Sequence, residues 1–133
     1  MATFPAVADI MHRNPTLVDG VAPISDALNL MRTHGIACLV VPRRDAKDEH
    51  GMLLITDIAR EIVAKNRPIK RTQVYEIMTK PAPSLDAAMS VKYAIRHMEK
   101  FTLTHCIVLD GRELAGVVTL KTLTYAYLEG VDS

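Results

Sequence analysis

The chain repeats itself. Asp9-Ile10-Met11 returns as Glu76-Ile77-Met78, and Ile24, Ala27, Leu28 and Met31 return as Val91, Ala94, Ile95 and Met98, each pair 67 positions apart. Gly51-Met52-Leu53 returns as Gly116-Val117-Val118 at an offset of 65, so the first copy holds two extra residues before its glycine. A duplication constrains the fold more than any single motif. Two copies of a half-sized unit stack on one another and form clefts in equivalent places, where small ligands commonly sit.

With 133 residues, the chain makes one compact domain or two packed half-domains. A hydrophobic fraction of 49% supplies a core and argues against disorder. Sixteen basic residues against 15 acidic leave no strong field, so neither nucleic acid nor a membrane surface is an expected partner. Cys38 and Cys106 lie in apolar runs and read as buried core thiols. Met1 to Pro5 lacks the basic start of a leader, and no apolar run approaches the ~20 residues of a membrane helix. These features point to the cytoplasm.

In the first copy, Val7 to Met11 is an entry segment and Asn14-Pro15 a turn, followed by a short extended piece, Thr16 to Val18. Pro23 and Ser25 launch a helix whose Ile24, Ala27, Leu28 and Met31 share one face, and Gly35 stops it. Ile36 to Val41 and Gly51 to Ile55 are apolar strands around the charged connection Arg43 to His50. A second helix starts at Thr56 or Asp57, with Ile58, Ile62 and Val63 facing inward, and either side chain suits the helix start. The second copy runs in the same order: entry at Tyr75 to Met78, helix from Ser90 to Lys100, strands Leu103 to Leu109 and Leu114 to Leu120 around a turn at Gly111. Its closing helix, Lys121 to Glu129, stops at Gly130. This divides the chain into repeat 1 (1–66), a linker (67–73) and repeat 2 (74–133). The fold class is α/β (α+β), each repeat a three-stranded sheet with two helices that needs the other as partner.

The duplicated Asp/Glu-Ile-Met entry, the helix running into an apolar strand (Met31 to Val41, Met98 to Asp110) and the glycine-led strand entering the last helix (Gly51 to Ile58, Gly116 to Leu123) resemble a tandem pair of CBS domains, the Bateman module. The resemblance covers nearly the whole chain. It implies two repeats related by a pseudo-two-fold axis and a non-catalytic regulatory role. It also implies a homodimer, an adenosine-containing ligand in the cleft between the copies (AMP, ADP, ATP or S-adenosylmethionine) and no required cofactor. The regulated protein partner is not named by the sequence.

The family's glycine-led motif places a Thr or Ser three residues after the glycine and an Asp three further on. An ionised Asp can accept both ribose hydroxyls, while a hydroxyl beside a helix N-terminus suits a phosphate. Here the pattern is divided. The first copy has Asp57 at the acidic position and Leu54 at the hydroxyl position; the second has Thr119 at the hydroxyl position and Thr122 at the acidic one. Asp57 is the expected ribose residue, with helix capping as its other reading. Lys121, at the start of the closing helix, is placed for a phosphate or simply for solvent. The resemblance puts adenine against Thr16, Leu17, Val18, Ile36 and Ala37 in one copy, and against Pro83, Leu85, Leu103, Thr104 and His105 in the other. His105 stands where the first copy has Cys38, and either lines the cleft or is a half-buried histidine.

No enzyme is expected: no nucleophile is paired with a base, and the histidines lack the spacing of a zinc site. Arg60, Lys65, Arg67, Lys70 and Arg71 form a basic run with Glu61, read as a solvated linker or as a collector of phosphates. Apolar residues on the first helices (Leu28, Leu30, Met31, Ile95, Met98), with Tyr125, Tyr127 and Leu128, point to self-association. The alternative function is a degenerate CBS scaffold that only dimerises or binds proteins.

Overall fold

The computed structural model describes residues 5–132. In order these form α1 (Val7–Ile10), α2 (Ile24–His34), β1 (Cys38–Val41), β2 (Gly51–Leu54), α3 (Ile55–Ile58) and a π-helical turn (Ala59–Val63). Then come α4 (Val74–Ile77), β3 (Ser84–Asp86), α5 (Val91–Lys100), β4 (His105–Asp110), β5 (Glu113–Thr119) and α6 (Leu120–Asp132). The residues gather into two compact units, one of Thr16–Ala82, the other of the chain up to Pro15 with the chain from Pro83 onward.

In the 16–82 unit, the apolar face of α2 (Ile24, Ala27, Met31) packs on Leu39, Val41, Leu53, Ile58, Ile62 and Val74. Gly35 ends the helix at φ 63, a left-handed conformation that only glycine adopts cheaply. β1 and β2 pair antiparallel, from Cys38 opposite Leu54 to Val41 opposite Gly51. The third strand is reduced to a parallel bridge: Val18 N–H donates to Val40 O and Val40 N–H donates to Thr16 O, both at 3.0 Å. Residues 66–73 do not hang free. Thr72 is buried, and the carbonyls of Thr72 and Ile69 accept from the amides of Ile24 and Ser25, which have no partner within α2. Leu28 and Leu30 pack against this same core, so the apolar surplus on α2 is partly absorbed within the unit.

Two expectations for the second helix fail. It begins at Ile55 rather than at Thr56 or Asp57. It then widens into the π-turn, where Ala64 N–H reaches Ala59 O. Val63 is 71% exposed, because Ile62 takes the inward position and the next residue lies roughly 100° round the helix.

In the other unit, β3 and β4 run parallel and β5 returns antiparallel to β4, giving the order β3-β4-β5. The face of α5 (Val91, Ala94, Met98) covers Leu85, Cys106, Val108 and Val118, with Val7 and Leu123 completing the core. Ser90 caps α5 by accepting from Tyr93 N–H at 3.3 Å. His12 and Val117 exchange backbone bonds of 2.9 and 3.0 Å, which tie the segment after α1 to β5. Against expectation, α6 runs through Gly130; a helical glycine costs about 1 kcal/mol, too little here to end the helix.

The opening segments are exchanged between units. α1 belongs to the first sequence copy but packs with residues 83–132, and α4 belongs to the second copy but packs in the 16–82 unit.

Candidate functional site

Two places hold the polar residues picked out by sequence, one in each unit. In the 16–82 unit the end of β2 turns directly into α3, with Leu54 as the residue before the first helical turn. Asp57 is 4% exposed at the third position of that turn. Its Oδ2 accepts from Leu54 N–H at 2.8 Å, and its Oδ1 accepts from Arg60 Nη2 at 2.7 Å. The carboxylate therefore caps the helix from inside, and one cation covers its outward oxygen. Arg60 also reaches Glu61 at 3.3 Å, and Lys65 holds Glu61 at 2.7 Å. The bond to Asp57, and then that to Glu61, raises the Arg60 pKa beyond its already high value.

Cys38 lies half-buried near this carboxylate. Burial, reinforced by the negative charge of Asp57, pushes its thiol up to about 12. Cys106 is fully buried, as expected, and burial raises it to about 11. Among the adenine-contact candidates, Val18 is a core residue, Ile36 is half-buried, and Leu17 and Ala37 are exposed. Thr16 and Ala37 give their carbonyls to Val40 and Ile55.

In the other unit Thr104, His105, Thr119, Leu120, Lys121, Thr124, Tyr125 and Leu128 line an open groove of about 670 Å³. That volume accommodates a mononucleotide-sized molecule. Thr104 Oγ1 and His105 Nδ1 are 2.9 Å apart, and burial lowers the His105 pKa. Thr119 Oγ1 accepts from Thr122 N–H at 3.1 Å and shares a hydrogen bond with Thr122 Oγ1 at 2.8 Å. Thr119 thus caps α6 from the residue before the helix, the reverse of the inside cap that Asp57 gives α3. Leu85 is a core residue, Pro83 and Leu103 are half-buried, and Pro83 O accepts from Ile107 N–H.

The structure therefore brings Thr104, His105, Thr119 and Lys121 to one groove and leaves Val18 and Leu85 in the cores. The basic run is mostly spoken for: Arg60 pairs with Asp57, Lys65 with Glu61 and Arg67 with Glu76. Sequence reasoning missed the Arg60–Asp57 pair, although its i, i+3 spacing signals it. It also missed a second hollow of about 650 Å³ in the 16–82 unit, where Leu17, Val21 and Tyr75 meet Arg43, Arg44 and Lys80. Among the described residues no group of His, Cys, Asp and Glu could hold a metal ion, and no helix is long and apolar enough to cross a membrane.

The family model of the CBS domain matches this chain twice, at residues 7–64 and 74–129. A hexameric CBS-CP12 protein from bloom-forming cyanobacteria is 27% identical, with a TM-score of 0.88 over 93% of this chain and 68% of its own. The CBS domain pair of protein MJ0100, solved with 5′-methylthioadenosine and S-adenosyl-L-methionine, is 23% identical. Its TM-score is 0.81 over 98% of this chain and 100% of its own. The uncharacterized protein MJ0450 of Methanocaldococcus jannaschii is 21% identical over 115 residues, or 86% of this chain. The chain spans 62% of the length of that curated relative.

Proposed function

Because the chain belongs to the CBS domain family, we propose that it is a non-catalytic regulatory module that senses adenosine-containing ligands of the AMP, ADP and ATP class. The observation that carries this reading is the carboxylate of Asp57. It is buried at a helix start, where Leu54 N–H fixes one oxygen and the exchangeable side chain of Arg60 covers the other, the oxygen a ribose hydroxyl would take. The groove beside α6, within the other unit, has a set of its own suited to an anionic group: an ammonium from Lys121, an imidazole from His105 and the hydroxyl of Thr104. The MJ0100 pair, of the same fold, was solved with two adenosyl molecules. A bound ligand acts by favouring one arrangement of the chain over another, by no more than its difference in affinity for the two.

Self-association accompanies this role. Ile55, Val63, Tyr125 and Leu128 are large apolar side chains exposed on the second helix of each copy. A homodimer that covers them fits, and the similar cyanobacterial protein is a hexamer.

A second reading, a scaffold that binds only proteins, is favoured by Thr122. It stands where a ribose-binding acid would be, and its hydroxyl is already engaged by Thr119. Thermal unfolding with AMP, ADP, ATP, S-adenosylmethionine and NAD separates the two. A ligand at a hundred times its dissociation constant adds about 2.7 kcal/mol and raises the melting temperature by several degrees. A well-folded protein that none of the five stabilises is a scaffold.

A further inference from the structure

The two copies serve as controls for each other at one position. Where the first has Asp57 and Arg60 three residues apart, the second has Thr122 and Tyr125. The first copy continues from this pair into a π-helical turn that carries Arg60 and Glu61, whereas α6 continues as regular α-helix. Wide turns of this kind are often found where a helix serves a binding site. The charged pair and the irregular turn occur together, in one copy only.

The pair is also unequal. The side chain of Asp57 is 6% exposed and that of Arg60 is 61% exposed. The anion is fixed by the helix start; the cation stands at the solvent end on a flexible stem. A ribose that takes the outward oxygen of Asp57 must compete with a charge-assisted bond of 2.7 Å. A neutral nucleoside offers nothing to the displaced guanidinium. A nucleotide offers a phosphate, which a guanidinium grips with two parallel donors.

Resting on the adenosyl reading of Asp57, we propose that Arg60 is the specificity-determining residue of that site: it exchanges the Asp57 carboxylate for a ligand phosphate, so that phosphorylated adenosyl ligands bind and unphosphorylated ones are rejected. Glu61 assists, because its carboxylate holds the second edge of the guanidinium near the helix, while Lys65 offsets its charge toward an incoming phosphate.

Calorimetric titration of wild type, Arg60→Gln and Arg60→Lys with adenosine and with AMP tests this. The expected result is a crossing. Arg60→Gln weakens AMP by about tenfold, the loss of one charge-assisted contact, and tightens adenosine several-fold, while Arg60→Lys keeps most of the preference for AMP. A purely structural role moves both ligands by the same factor, and that result, or no change in either, overturns the proposal. The wild-type titrations judge the underlying reading separately. If neither ligand binds wild type or either variant, the adenosyl reading falls and the exchange with it. If both bind wild type equally, the reading stands and the role of Arg60 is refuted. Arg60 is solvent-facing and Asp57 keeps its bond to Leu54, so the variants retain a folded 16–82 unit, checked by their melting curves.

Discussion

The sulfur of Met11 lies over Gly116: a Cβ placed on that glycine would stand 2.9 Å from Met11 Sδ and 2.6 Å from the carbonyl oxygen of His12. The other unit repeats the arrangement with Met78 over Gly51, where a Cβ would stand 2.8 Å from Met78 Sδ but 3.5 Å from the nearest backbone oxygen, that of Thr79. The repeated methionine and the repeated glycine are therefore two halves of one contact, and each copy supplies the methionine for the other's glycine.

The two glycines are not equally replaceable. In Gly51→Ala the obstacle is the end of a flexible side chain, which can swing away, and the expected cost is about 1 kcal/mol or less. In Gly116→Ala the obstacle includes a backbone oxygen held by the His12–Val117 bridge, and the expected cost is about 2–3 kcal/mol. Urea unfolding of the two variants decides this; equal midpoints would show that the His12 segment yields.

Asp57 holds the first turn of α3 through Leu54 N–H. Asp57→Ala is expected to cost about 0.5–2 kcal/mol, the usual loss for a helix-start cap. If Asp57 also holds a ribose, AMP affinity drops by about tenfold or more in the same variant. Unfolding and titration on one preparation separate the roles: a stability loss with unchanged affinity leaves capping alone.

Burial lowers the His105 pKa, so the folded chain holds that proton less tightly than the unfolded chain. The sign follows from linkage: the contribution is present above the unfolded value, about 6.5, and is lost as pH falls from there through the folded value. Stability measured from pH 7.5 down to 5 is expected to decline more in wild type than in His105→Gln. Parallel curves would show that His105 has no part in the decline.

Both thiols are expected to be inert near neutral pH. Thiolate is the reactive form, and burial holds Cys38 at about 12 and Cys106 at about 11. An aromatic disulfide reagent at pH 8 should label neither on the timescale of minutes, and both once the chain is unfolded. Rapid labelling of native Cys38, the less buried of the two, would contradict the packing around it.

Most of the fold is legible in the repeat, because residues that pack on one another recur together. Ile24, Ala27 and Met31, like Val91, Ala94 and Met98, are core residues of equivalent helices. The repeated acid of the entry is legible in hindsight. Asp9 accepts from Ala6 N–H at 2.9 Å and Glu76 from Gln73 N–H at 2.7 Å, the same inside cap that Asp57 gives Leu54. The exchange of α1 and α4 was not legible, since a local pattern carries no record of which copy it packs on. Nor was the π-turn at Ala59–Val63, an irregularity that helical periodicity does not anticipate. The site was read only in part. Residue types named Asp57, Thr119 and Lys121, but the engagement of Asp57 by Arg60 and of Thr122 by Thr119 depends on side-chain geometry.

The exchanged opening segment also sets an order of events during synthesis. The 16–82 unit is continuous, so every residue it needs has been made once Ala82 is joined. The segment before it is older but must wait: Val7 N–H donates to Met89 O, and His12 bonds to Val117, partners joined only after the whole 16–82 unit has been made. Chain made before the 16–82 unit is thus used after it, and a loop that has folded by the time it is closed leaves less freedom to lose than a disordered loop of that length.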